Sequence, residues 1–220
     1  MIRFEAVHKS YRTHGGRRVV LDDATFDLPG DRNIGILGTN GAGKSTLLRL
    51  ICGSELPNRG HVRRSSRVSF PVGFAGTFHH ELTARENVRF LARVYGLPVL
   101  RAIDWVADFS ELGSYFDMPV KTYSSGMFAR LAFSTSLAFD FDVYLIDEAT
   151  EVGDVRFRQK YVATLRQRLK HSRVIIVSHN PATIRTHCNC GAVLHDGVLA
   201  LYDTVEESMS AYEKILRRAA

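Results

Sequence analysis

Apolar and polar positions divide the chain into two kinds of territory. Ile34–Leu37, Val143–Ile146 and Val174–Val177 are short, continuous apolar runs, the pattern of parallel strands covered on both faces. A helical pattern over Val155–Leu169 separates the last two runs, which predicts a βαβ unit. Strand-like stretches at Ile2–Val7 and Val19–Leu28 flank a turn at Thr13–Gly16, and the turn signal Pro57–Gly60 precedes another at Val68–Val72. Between residues 74 and 138 the periodicity becomes helical. Thr83 and Glu86 form a capping box, Val88, Leu91, Ala92 and Tyr95 follow at i, i+3, i+4 and i+7, and Gly96 stops the helix. Further helices are predicted over Arg101–Phe109 and Met127–Ala138. A second capping box, Thr204 with Glu207, opens a tail whose Val205, Met209, Tyr212 and Leu216 make one amphipathic helix, most simply docked on its own domain. The fold class is therefore α/β, with a helical lobe (74–138) inserted into a sheet core (1–73 and 139–220) as one domain of 220 residues.

Composition narrows this little. Apolar residues make up 45%, ordinary for a chain with a sizeable core. Three cysteines do not make a disulfide framework, which points to a reducing compartment. MIRFEAVHKS lacks the apolar segment of a signal peptide, and Leu131–Phe139 is broken by serines and too short to span a bilayer. The chain is expected to be soluble, or attached to a membrane through something else. Its net charge of +6 is scattered, with no aromatic-interleaved basic stripe, so no nucleic-acid partner is expected; a solvated face near anionic lipid reads at least as well.

Candidate chemistry begins at GTNGAGKST. Gly38, Gly43, Lys44 and Ser45 fill the fixed positions of G-x-x-x-x-G-K-[ST], between an apolar strand and a helical pattern containing Leu47, Leu48 and Ile51. Glycines let successive N–H groups converge on an anion, and a helix opening near Gly43 adds its positive end. Lys44 then reaches the β- and γ-phosphates and the Ser45 hydroxyl ligates Mg²⁺. Asp147 and Glu148 end the strand VYLI: Asp147 suits Mg²⁺ through water, and Glu148 suits a general base for the attacking water. His179, just past the strand in VIIVSHN, falls at the same crevice and suits a contact to the γ-phosphate and positioning of Glu148. YSSGM (Tyr123–Met127) heads a helix. On its own it is a good N-cap, Ser124 or Ser125.

GTNGAGKST, YSSGMFARL, VYLIDEAT, EVGD and VSHN together, in this order, resemble the motif set of an ABC-transporter ATP-binding cassette over essentially the whole chain. ELGSYFDMPVKTYSSGM and DEATEVGD resemble the capsular-polysaccharide (polysialic acid type) export branch. The resemblance implies an ABC ATPase fold: a parallel-sheet core, an antiparallel β subdomain and an inserted helical lobe. It implies ATP and Mg²⁺ as ligands, with Gly38, Thr39, Asn40, Gly41, Ala42, Gly43, Lys44, Ser45 and Thr46 as the phosphate loop. Tyr11 aligns with the aromatic that stacks on adenine. Ser124, Ser125 and Gly126 contact the γ-phosphate bound to a second copy, and Asp154 falls at the aspartate of the loop linking the two sites. Glu148, His179 and Lys44 keep catalytic roles, and Ser45 and Asp147 the metal.

The expected function is an ATPase subunit, peripheral at the cytoplasmic face of the inner membrane, that drives export of a surface polysaccharide. Its partners are a second cassette and integral membrane permease subunits. One rival is an O-antigen or teichoic-acid exporter, many of which carry a carbohydrate-binding domain for which a chain ending at Ala220 leaves no room. A soluble ABC ATPase acting on ribosomes or DNA generally needs tandem cassettes or a coiled-coil insertion, and neither is seen. Two departures from the family pattern stand out. No glutamine lies between Val68 and Glu86, where counting back from Leu82 lands near Phe74; either water or another residue completes the metal shell. In the signature, Ser125 replaces a glycine and Met127 a glutamine. Phe74, Phe78 and Leu82 suit either a groove for a permease helix or lobe core. His79 and His80 lie in the loop entering the lobe. His187, Cys188 and Cys190 are too closely spaced to share one ion from a strand and read as packing.

Overall fold

In the computed structural model all residues are described except 73–75, 77, 148–153, 179, 180 and 220. They form two compact units.

The first unit takes Met1–Pro71, Asp142–Glu148 and Ser172–Ala220. Strands β1 (Ile2–Thr13) and β2 (Gly16–Leu28) form an antiparallel hairpin from Ile2↔Leu28 to Thr13↔Gly16, with the predicted turn at its tip. β3 (Ile34–Leu37) leads to α1 (Lys44–Cys52). β4 (Arg59–Arg64) pairs with β1 and completes a sheet of order β2-β1-β4. β4 is a strand that the apolar pattern of the sequence does not mark. RGHVRR is an edge strand that half-buries only Gly60 and Val62, so it has no apolar run to detect.

The second sheet has the order β5-β6-β7-β3-β8-β9, from β5 (Val68–Val72), β6 (Val143–Asp147), β7 (Arg173–Val177), β8 (Cys190–His195) and β9 (Val198–Tyr202). β6 and β7 run parallel, as do β7, β3 and β8, while β9 returns antiparallel to β8. Ile34, Ile36, Leu145 and Ile175 are buried in one cluster with Leu47 and Leu48 of α1 and Phe4 and Leu21 of the hairpin. Each such side chain contributes about 1.5–3 kcal/mol by leaving water, and this common core fixes the hairpin against the loop that follows β3. Ser69 is fully buried and accepts the Leu145 amide at 2.9 Å, which satisfies a polar group inside the sheet. The tail helix α7 (Val205–Ala219) opens on the expected Thr204–Glu207 box, and Val205 and Met209 pack beside Leu37 and Val193.

The second unit takes Val72–Phe141 and Ala149–His171. It holds α2 (Ala84–Val94), α3 (Val99–Ser110), α4 (Ser125–Ala138) and α5 (Val155–Arg168). The Thr83–Glu86 box is formed in both directions, and Val88, Leu91 and Ala92 are buried as their spacing requires. α4 begins two residues earlier than predicted because Ser124, at its N-cap, accepts the Met127 amide. Ser134, Thr135 and Ser136 are buried inside α4 and donate back to carbonyls of their own helix, at 2.6–2.8 Å, so the core tolerates them. Phe78 is buried and meets Phe128 edge-on at 5.7 Å, which makes it lobe core; His80 stacks on the same ring. Leu82 is exposed, and Phe74 lies outside the described residues. Among the described residues no helix is long and apolar enough to cross a membrane.

Candidate functional site

The loop from Gly38 to Gly43 joins β3 to α1 and borders a cavity of about 390 Å³ in the first unit. Its shape depends on Gly43, the N-cap of α1. There φ is 104°, a conformation that L side chains resist, and an added Cβ would run into Val20. The turn is closed by the Ala42 amide donating to the Thr39 carbonyl at 3.1 Å. α1 then turns its N-terminus, the positive end of its dipole, to the cavity.

Lys44 stands in the first turn of α1, and its ammonium donates to the Gly38 and Thr39 carbonyls at 2.7 and 3.0 Å. It is thereby folded over the loop whose amides it completes. The Ser45 hydroxyl donates to Asp147 Oδ2 at 3.4 Å, which brings the end of β6 to the start of α1. Both are hard oxygen donors of the kind Mg²⁺ prefers. Thr46 is buried one position further on, between Tyr11 Oη at 3.3 Å and Arg49 Nη2 at 3.1 Å.

Tyr11, Asn40, Gly41, Lys44, Ser45 and Asp147 thus border one cavity. Arg18, Val20 and Val177 border it too, and no sequence motif marks them as site residues. Strand register finds Arg18 and Val177, and the Gly43 contact finds Val20. Arg18 is the β2 residue paired with Tyr11, and Val177 is the β7 residue paired with Asp147. The Arg18 guanidinium donates to the Gly41 carbonyl. Glu148 and His179, next to Asp147 and two residues past Val177 in the chain, lie outside the described residues.

Ser124, Ser125, Gly126 and Asp154 belong to the second unit and border none of this cavity. Ser124 and Ser125 are exposed at the N-terminus of α4. Asp154 caps α5 by accepting the Phe157 amide at 2.9 Å and pairs with Arg130 of α4. Those two contacts, the amide first, hold its carboxyl below the usual carboxylate range. Arg130 also lies over the Phe157 ring, 5.1 Å from its centroid, and 3.5 Å from Glu111. The second turn of α4 and the start of α5 are therefore joined through one guanidinium.

Cys190 sits in the main core and Cys188 beside Leu37 and Ile184. Burial, with a smaller contribution from Cys190, pushes the Cys188 thiol up to about 12, so it is a packing group and no nucleophile at neutral pH.

Residues 21–151 match the family described as ABC transporter. The polysialic acid transport ATP-binding protein KpsT of Escherichia coli is 45% identical over 219 residues, which cover 98% of this chain and 100% of that protein. The capsule polysaccharide export ATP-binding protein CtrD of Neisseria meningitidis serogroup B is 43% identical over 215 residues, covering 98% and 100%. A dimeric post-hydrolysis state of the ATP-binding cassette MJ0796, bound to ADP and Pi, superposes with a TM-score of 0.72 at 20% identity, over 93% of this chain and 99% of that one.

Proposed function

This chain belongs to the ABC transporter family, and on that premise we propose that it is the ATP-hydrolysing subunit of an exporter of capsular polysaccharide. The observation that carries the ATPase reading is the cavity in which the phosphate loop, Lys44, Ser45 and Asp147 converge. The polysaccharide reading is supported by full-length similarity to KpsT and CtrD, whose names give polysialic acid transport and capsule polysaccharide export.

ATP enters with its phosphates against the amides of residues 38–46, and Lys44 exchanges its loop carbonyls for β- and γ-phosphate oxygens. Its base lies against Tyr11. The Ser45 hydroxyl and the Asp147 carboxylate fit a hard divalent cation, which when bound supplies charge neutralisation at the β- and γ-phosphates. Glu148 deprotonates and orients the attacking water, and His179 holds Glu148 and the γ-phosphate in line. Ser124–Gly126 serve a second copy: amides and hydroxyls at the start of α4 receive the γ-phosphate held by its partner. Asp154, tied to α4 through Arg130, carries the state of one site to the other. The dimeric MJ0796 cassette supports this two-fold arrangement by analogy of fold. Closure on ATP and reopening after hydrolysis move integral membrane permease subunits at the cytoplasmic face of the inner membrane.

Affinity capture of the full chain from detergent-solubilised membranes tests the reading. The expected partner is a hydrophobic permease, recovered with this chain and capable of raising its ATP turnover. Recovery with ribosomes and no permease would overturn the exporter assignment while leaving an ATPase.

A further inference from the structure

Five side chains meet behind the cavity in a pattern no motif of the sequence describes. Glu55 follows α1 and is four-fifths buried. Its Oε1 receives Lys9 Nζ at 2.6 Å and the Tyr11 hydroxyl, and its Oε2 receives Arg49 Nε at 2.8 Å. Arg49 Nη2 reaches on to Thr46 Oγ1 at 3.1 Å and to Tyr11 Oη at 3.4 Å. Lys9 Nζ also lies over the Tyr11 ring, 5.0 Å from its centroid. One face of the ring is thus occupied by a cation and its phenol end is tied down, while Tyr11 still borders the cavity.

A tyrosine on a hairpin strand has two free χ angles, and an aromatic platform loses contact with a base when its tilt drifts. The Lys9 ammonium covers one face and Glu55 anchors the far end, so the ring keeps one tilt and one open face. The same carboxylate reaches the last residue of the phosphate loop through Arg49 and Thr46. We infer that Glu55 is a positioning residue for nucleotide recognition: it sets the Tyr11 platform against the purine. This rests on the cavity being the ATP site.

Two ligands separate the inference from that reading. Dissociation constants for ATP and for inorganic tripolyphosphate, which has phosphates and no base, are measured calorimetrically on the full chain, wild type, Tyr11→Phe, Glu55→Ala and the double variant. Each single change is expected to weaken ATP about fivefold and leave tripolyphosphate unchanged, with the double variant no weaker than either single one. Tyr11→Phe leaves Glu55 paired with Lys9 and Arg49, so it makes the test even if Glu55→Ala does not fold. Wild-type ATP affinity in Tyr11→Phe, multiplicative losses in the double variant, or an equal loss of both ligands in Glu55→Ala would each overturn the inference and spare the cavity assignment. Tripolyphosphate that does not bind the wild type would strike the phosphate-loop reading itself, and the inference with it.

Discussion

Ser45 donates its hydroxyl to Asp147 across 3.4 Å, although 102 positions separate the two in the chain. A hydroxyl and a carboxylate are the oxygen donors that would hold a hydrated divalent cation. Replacing Asp147 by Asn keeps the shape and removes the charge. ATP binding in the presence of a chelator should then be unchanged, while the gain in affinity on adding Mg²⁺ should fall about tenfold. Titrations with and without the metal decide it, and an Asn variant with full Mg²⁺ dependence would move the metal elsewhere.

The phosphate loop makes a second, purely steric demand. Gly43 combines a left-handed backbone with a Cβ direction already filled by Val20. Gly43→Ala should cost about 1–2 kcal/mol for the backbone conformation alone, and distort the amides that face the phosphates. ATP affinity should fall more than tenfold. Shaving Val20 to Ala alongside it should recover only part of the loss, because the φ penalty remains. Full recovery would show that the contact, and not the backbone, excludes a side chain.

These two sites illustrate which parts of the molecule were legible beforehand. Strands β3, β6 and β7 are covered on both faces, so they appear as unbroken apolar runs, and the phosphate loop appears because a bound anion dictates residue types at fixed spacing. β4 did not appear, since an edge strand carries no buried face to mark it. Arg18 and Val177 came to light only through strand register. The Glu55 cluster draws on residues 9, 11, 46, 49 and 55 from two elements and a loop, and no periodicity links them. Tertiary structure alone brings such a set together.

Glu55 also predicts an acid sensitivity. Burial by itself would raise its carboxyl, but hydrogen bonds from Lys9, Tyr11 and Arg49, with the charge of Lys9, outweigh it and hold the group at about 2, below its ordinary 4.5. A carboxylate depressed in the folded state contributes stability in full above the unfolded value, and that contribution fades as pH falls from about 4.5 towards 2. It is on the order of 2 kcal/mol after solvent screening. Urea midpoints measured from pH 6 down to pH 3 should therefore drop more steeply in the wild type than in Glu55→Gln. Parallel profiles would mean that the carboxylate is not held low.

Ser124 has both a structural and a proposed catalytic role, and one pair of substitutions separates them. As N-cap of α4 it accepts the Met127 amide, so Ser124→Ala should cost about 1 kcal/mol. Asp caps as well as Ser, so Ser124→Asp should restore that stability. It also places a carboxylate where a partner's γ-phosphate is proposed to arrive, and two anions at one helix N-terminus repel. The Asp variant should thus melt like the wild type and bind ATP as a monomer with unchanged affinity, yet fail to pair on ATP and lose hydrolysis at least tenfold. Sedimentation with ATP and steady-state turnover read both effects. Turnover at the wild-type rate in a stable Ser124→Asp protein would reduce Ser124 to a helix cap and leave the second copy without a role at that position.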